Sequence, residues 1–200
     1  DANKKPEDLN DYSLYAGTSW FFVNPQMHQS LDYLFIDEAG QVALGTTIAD
    51  ATSSKNLVLI GDQMQLSQPI RAKHNGYARK SSLDFVLENL DTIPPEKGIF
   101  LNTTRRLNKK ICKFISDSFY ESRLTSHEEA TSRSVKLKID PIKNEGIFYV
   151  PIDHIGCSQR SDEEGDLVEK IFNKIIDKEF KVGDKKGKIS PKDIMVVAPY

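Results

Sequence analysis

Leu34-Phe35-Ile36-Asp37-Glu38-Ala39-Gly40-Gln41 decides how this chain folds, together with a second stretch, Leu57-Val58-Leu59-Ile60-Gly61-Asp62-Gln63-Met64-Gln65-Leu66. Each opens as a short apolar run and closes in small, polar or acidic residues, the pattern of a fully buried parallel strand. The residues between them suffice for one helix, so the unit predicts strand, crossover helix, strand. Polar groups just past the carboxyl ends of parallel strands sit where α/β sheets bind ligands. An Asp-Glu pair there offers one carboxylate to a Mg²⁺ and a second to an attacking water, the equipment of nucleotide hydrolysis. Taken alone, Asp37-Glu38 fits the cap and first turn of a helix equally well. The second polar-tipped strand, with a glutamine beyond it, tips the reading toward a ligand site.

Outward from this unit the chain alternates helix and strand. Gly17-Thr18-Ser19-Trp20-Phe21-Phe22-Val23 reads as a polar turn and a strand. In that context Trp20, Phe21 and Phe22 suit core packing better than stacking on bases. Ser81 to Asn89-Leu90 reads as a serine-capped helix with Leu83, Val86, Leu87 and Leu90 on its apolar side. Thr92-Ile93-Pro94-Pro95-Glu96-Lys97-Gly98 breaks the pattern, and the domain boundary is placed there, giving 1–95 and 96–200. Beyond it, Ile99-Phe100-Leu101 reads as a strand. A helix follows with Leu107, Ile111, Phe114, Ile115 and Phe119 on one face, then a charged loop from Ser126 to Ser134. Ile147-Phe148-Tyr149-Val150 reads as another buried strand. Ser161-Asp162-Glu163-Glu164 is a capping box that opens the longest amphipathic run, Leu167 to Phe180. A Lys-Gly-rich turn leads to a final strand, Ile194 to Tyr200.

The bulk numbers narrow the classes. The chain has 200 residues, 38% of them apolar, which suits one ordinary domain or two small ones. Charged residues make up 28% and nearly cancel to a formal net charge of −2, so nucleic-acid contact has to come from local patches. No apolar stretch reaches membrane-spanning length, and Asp1 to Asp11 is polar rather than a signal peptide, which points to a cytoplasmic protein. Two cysteines, Cys112 and Cys157, make neither a disulfide framework nor a zinc site, and Cys112 is expected as a buried thiol. His28, His74, His127 and His154 have no ligand spacing. No Gly-x-x-x-x-Gly-Lys-Ser/Thr phosphate loop occurs, although an acidic strand normally works opposite one, so the chain reads as an internal piece of a longer protein.

With these segments in place, the chain resembles superfamily 1 helicases. Within them it is most similar to the RecD-related 1B group, which includes the nonsense-mediated-decay helicase and the nuclease-helicase of Okazaki-fragment processing. It is closer still to bacterial fusions of a RecB-like nuclease with such a helicase. The resemblance implies an α/β, P-loop NTPase fold made of parts of two tandem RecA-like domains. Asp37-Glu38-Ala39-Gly40-Gln41 matches the Walker B motif, which makes Asp37 the Mg²⁺ residue and Glu38 the general base on water. Gly61-Asp62-Gln63-Met64-Gln65-Leu66-Ser67-Gln68-Pro69 matches the next motif, whose inner glutamine, Gln65, senses the γ-phosphate, with Gly61 and Asp62 beside the nucleotide. Arg105-Arg106-Leu107-Asn108 falls where the family has aromatic-Arg-Met-His, so Arg106 reaches the γ-phosphate from the second domain. Arg105 is the alternative, because the flanking residues depart from that pattern. Val196-Val197-Ala198-Pro199-Tyr200 matches a strand that touches the nucleic-acid backbone, with Ala198 in place of a frequent hydroxyl. Thr18 and Ser19 align with a first-domain nucleic-acid motif.

The function implied is ATP-dependent movement along single-stranded nucleic acid, DNA ahead of RNA, in repair or recombination, with ATP and Mg²⁺ as cofactors. A nuclease domain in the same polypeptide is compatible with it. The alternatives are an RNA helicase with the same core and a RecA-like scaffold that binds nucleic acid without hydrolysing ATP. Nucleic-acid candidates are Thr18, Ser19, Arg71, His74, Pro199 and Tyr200, with Lys73, Arg79 and Lys80 in the same polar stretch as Arg71 and His74. Each of these basic residues fits an ordinary solvated loop equally well.

Overall fold

The computed structural model describes residues 12–65, 75–88, 90–135, 142 and 146–198. The chain divides into two compact units, Asp1–Gly98 and Ile99–Tyr200.

The first unit is built on the strand-helix-strand element. β1 (Leu31–Ile36) and β2 (Ser54–Leu59) are parallel, with Leu34 beside Leu57 and Ile36 beside Leu59, and α2 (Leu44–Ala51) crosses between them. Burial follows the strand alternation. Leu34 and Ile36 form a core with Ala39 and Leu83, against which Phe22, Val42 and Leu59 pack. The opposite face carries Tyr33 and Phe35, 59% and 63% exposed. The expectation of fully buried strands is therefore corrected to one buried face, because these residues cover the sheet on one side only.

Helix α2 has no side-chain cap at Ala43. Its first amide is satisfied by Leu44 N–H donating to the Lys80 carbonyl at 3.1 Å. At its other end the hydroxyls of Thr52 and Ser53 donate to the carbonyls of Ala49 and Asp50. These take up orphan groups that every helix end leaves. Ser81 caps α3 (Ser82–Leu87), as the sequence predicts, Asp84 completes a reciprocal box with it, and Leu83 and Leu87 are buried. Val86 and Leu90 are more than a third exposed, so the apolar side is narrower than expected.

Trp20 to Val23 is not a strand. Ser19–Phe22 forms a short helix, α1, opened by Phe21 N–H donating to the Thr18 carbonyl, and Trp20 is 86% exposed. Local hydrogen bonding from the Thr18 turn overrides the β-propensity of the aromatics. Core packing of Trp20 is overturned with it.

The second unit repeats the strand-helix-strand motif in miniature. β3 (Thr103–Thr104) lies parallel to β4 (Thr125–Ser126), joined through α4 (Lys109–Phe119). Asn108 caps α4 by accepting from Ile111 N–H, and Cys112 is buried, as expected. The charged stretch is not all loop, since Glu128–Thr131 forms α5. Helix α6 (Asp162–Ile175) starts at Ser161, whose hydroxyl accepts from Glu164 N–H, but it stops before Phe180. Phe180 belongs instead to β6 (Glu179–Val182), which forms an antiparallel sheet between β5 (Ser134–Val135) and β7 (Lys185–Lys188).

Three expected strands are absent. Ile99–Leu101, Ile147–Val150 and the described part of the last segment, Ile194–Ala198, carry no strand. Ile99, Tyr149 and Met195 are each at least 85% exposed. An apolar run becomes a buried strand only where a neighbour supplies a ladder and a cover. Among the described residues these runs have neither.

Candidate functional site

Both acid-tipped strands end at the same edge of the β1–β2 sheet. Ile60 N–H donates to the Ile36 carbonyl at 2.9 Å, and Ala39 N–H donates to the Ile60 carbonyl at 2.8 Å, so the ladder continues into the two loops. Here backbone packs on backbone. A Cβ added to Gly40 would lie 2.2 Å from the Asp62 carbonyl oxygen, and one on Gly61 would lie 2.8 Å from Ala39 N. Both positions require glycine for close approach. The Asp37-Glu38 loop and the Asp62-to-Gln65 loop are thereby locked side by side.

Asp37 and Glu38 are exposed at this edge. Glu38 sits at φ 54, a left-handed conformation that costs a non-glycine residue energy and is concentrated at functional sites. The turn is held by Glu38 N–H donating to Asp37 Oδ1 at 3.0 Å and by Gln41 N–H donating to the Glu38 carbonyl at 2.8 Å. In the neighbouring loop the Asp62 carboxylate accepts from Met64 N–H at 3.0 Å and from Gln65 Nε2 at 3.3 Å. Gln65 is thus oriented by Asp62. Gln63 Nε2 donates to the carbonyls of Leu90 and Asp91 at 3.3 and 2.6 Å, tying this loop to the segment after α3. The arrangement suits a small hard cation, which takes one or two carboxylates and leaves its other positions to water and phosphate oxygens. Asp37 offers one exposed carboxylate of this kind, and no group of three or more ligating side chains gathers there among the described residues.

A cavity of about 740 Å³ runs along β1, lined by every residue from Leu31 to Asp37 and by Thr18, Ser19 and Asp50. It brings Asp37 together with Thr18 and Ser19, the candidates that align with the first-domain nucleic-acid motif. Ser19, however, donates its hydroxyl to Asp50 Oδ2 at 2.9 Å, so this side chain is committed to joining α1 to α2. Asp50 is a residue that sequence reasoning misses. It is 4% exposed, and its Oδ1 has no hydrogen-bond partner among the described residues. Burial raises its pKa above the ordinary carboxylate value, against the smaller lowering from the Ser19 hydroxyl. Its only sequence signal is an acid in the otherwise apolar and small run Ile48-Ala49-Asp50-Ala51.

In the second unit the two arginines occupy the turn between β3 and α4. Arg106 N–H donates to the Thr104 hydroxyl at 3.2 Å, and Arg133 donates to the Arg106 carbonyl at 2.8 Å. Arg105 Nη1 lies 4.0 Å from Glu129 Oε2, while the exposed Arg106 side chain has no ion pair among the described residues. Of the remaining candidates, Arg79 is exposed at the end of a 3-10 turn, and Lys80 Nζ lies 5.9 Å from the Tyr77 ring centre. Arg71, Lys73, His74, Pro199 and Tyr200 lie outside the described residues. No helix among the described residues is long and apolar enough to cross a membrane.

The chain is 27% identical over 183 residues to the DNA polymerase alpha-associated DNA helicase A of Schizosaccharomyces pombe, covering 86% of this chain and 26% of that protein. It is 22% identical over 214 residues to the DNA replication ATP-dependent helicase/nuclease JHS1 of Arabidopsis thaliana, covering 96% of this chain and 15% of that one. A third relative, the uncharacterized ATP-dependent helicase MJ0104 of Methanocaldococcus jannaschii, is 24% identical over 140 residues, 66% of this chain and 20% of the relative. The chain therefore spans about a quarter or less of the length of these relatives. No solved structure matches it. The family model described as AAA domain matches residues 80–200, more than half of the sequence. The chain belongs to the AAA domain family, and its fold is of the P-loop NTPase type.

Proposed function

We propose that the chain is the part of an ATP-dependent DNA helicase that carries the water-activating and phosphate-sensing residues of the nucleotide site. The observation that carries this reading is the locking of the Asp37-Glu38 loop against the Asp62-Gln65 loop at the carboxyl ends of adjacent parallel strands. In this reading Glu38 takes the proton from the attacking water. The Gln65 amide, oriented by Asp62, donates from its NH₂ to the γ-phosphate and accepts from that water at its carbonyl oxygen. Arg106 supplies a permanent positive charge to the transferring phosphoryl group, and its side chain, with no ion pair among the described residues, suits this better than that of Arg105. Mg²⁺ bound at Asp37 would neutralise charge on the phosphate oxygens.

Parts of two tandem RecA-like domains, 1–95 and 96–200, are the architecture we assign. Single-stranded DNA is the track we assign, with repair or recombination as its setting. Two relatives, a DNA helicase and a DNA replication helicase/nuclease, support DNA over RNA. The test is strand separation by the full-length protein with ATP on matched DNA and RNA duplexes carrying single-stranded tails. ATP-dependent separation of DNA is expected. Separation of RNA alone would replace DNA with RNA in this reading, and separation of neither would leave only a binding scaffold.

A further inference from the structure

We infer that the β6–β7 hairpin is a binding surface for the phosphate backbone of a nucleic-acid strand, with Lys181, Lys186 and Lys188 as its contacts. This rests on the nucleic-acid reading above but concerns a part of the chain which that reading leaves unused. Register sets the surface. Glu179 faces Lys188, Phe180 faces Gly187, Lys181 faces Lys186 and Val182 faces Lys185. Alternation along each strand then puts Glu179, Lys181, Lys186 and Lys188 on one face and Phe180 on the other.

The register is pinned on the Phe180 side. A Cβ at Gly187 would lie 2.8 Å from Phe180 Cε1, so the ring lies over the glycine and would have to shift for any larger residue. The two-residue loop is fixed by Gly183 at φ 59, whose N–H donates to the Ser132 hydroxyl at 2.9 Å. Lys181 sits on the central strand, between Ser134 of β5 and Lys186 of β7.

Two ammonium groups directly opposite each other destabilise a strand pair. Lysines placed only to guard an exposed edge need no such pairing, and Lys181 is not on an edge. The four hairpin lysines are exposed and make no ion pair among the described residues. The hairpin carries four lysines and two acids in a chain of formal net charge −2, so it is a local basic patch. Lys186 and Lys188, two residues apart on one strand, stand about 6.6 Å apart, a row suited to successive charges on a linear polyanion.

The experiment uses the full-length protein with Lys181, Lys186 and Lys188 all changed to Gln, beside a variant with the same three changed to Arg. Binding to a labelled oligothymidine is followed by fluorescence anisotropy across a salt series. The Gln variant should bind about tenfold or more weakly, with a salt slope shallower by about 0.7 for each single-strand phosphate that a lysine no longer neutralises. Its ATP hydrolysis without nucleic acid should be unchanged, and the Arg variant should bind like the parent. Unchanged affinity and slope in the Gln variant, with a parent that binds, would overturn this inference alone. A parent that binds no nucleic acid would overturn the helicase reading as well. Lysine-dependent binding to anionic-lipid vesicles without loss of oligothymidine binding would assign the hairpin to a membrane surface and overturn it too.

Discussion

At the residue scale, the two arginines of the second unit make opposite forecasts. Arg105 Nη1 lies 4.0 Å from Glu129 Oε2, whereas the Arg106 guanidinium has no ion pair among the described residues. Arg106→Ala should lower ATP hydrolysis by roughly 10³-fold or more while sparing nucleic-acid binding. Arg105→Ala should cost far less, and steady-state hydrolysis by the two variants side by side decides the assignment. A larger loss at Arg105 would move the role by one residue. Asp50 makes a forecast about stability. Its folded pKa is raised by burial above the ordinary value of 3.8, so the folded state holds this proton more tightly than the unfolded state. The stability it contributes is full below the unfolded value and is lost as pH rises through the folded one. Asp50→Asn removes that dependence, so Tm of the variant relative to the parent should climb as pH rises above the ordinary value of 3.8. A difference that stays flat or falls would mean that Asp50 is not held against ionisation.

At the scale of elements, the lock between the two loops is the feature on which the site depends. Gly40→Ala would drive a methyl group into the Asp62 carbonyl, a backbone atom with little freedom to yield. Forced repacking of this kind costs about 1–3 kcal/mol. Gly45→Ala, in α2 with open space around it, should instead gain up to roughly 0.5–1 kcal/mol, the ordinary benefit of alanine in a helix. Chemical denaturation of both variants checks the contrast, and equal effects would mean that the loops are not packed as described.

The same elements show what the sequence discloses. β1, α2 and β2 are readable because a parallel pair needs a crossover and its apolar runs are short and sharply ended. The serine cap of α3 and the asparagine cap of α4 differ in legibility for a simple reason. Ser81 has a partner acid three residues on that marks the box, while Asn108 sits behind an arginine pair that reads as part of a motif. Trp20 to Val23 misleads because four apolar residues satisfy strand propensity as readily as one helical turn. The β6–β7 hairpin is hidden by its lysines, and its one clue is the Gly183-Asp184 pair between Val182 and Lys185. In the site, Asp37, Glu38 and Gln65 are visible as types at strand ends, but the roles of Gly40, Asp50 and Gln63 depend on residues distant in sequence. No local pattern reports them.

For the molecule as a whole, the proposed chemistry turns on one group: the Glu38 carboxylate after β1, which activates water for nucleotide hydrolysis. Glu38 stands at the edge of the sheet in a strained turn, beside the loop that orients Gln65, and the neighbouring Asp37 suits the cation. Conversion of Glu38 to Gln keeps size and polarity but removes the base. The most direct test is therefore steady-state ATP hydrolysis by the full-length protein with Glu38→Gln, paired with a nucleotide-binding titration on the same sample. Turnover should fall about 10²- to 10⁴-fold while ATP binding persists. Near-normal turnover in that variant would contradict the account.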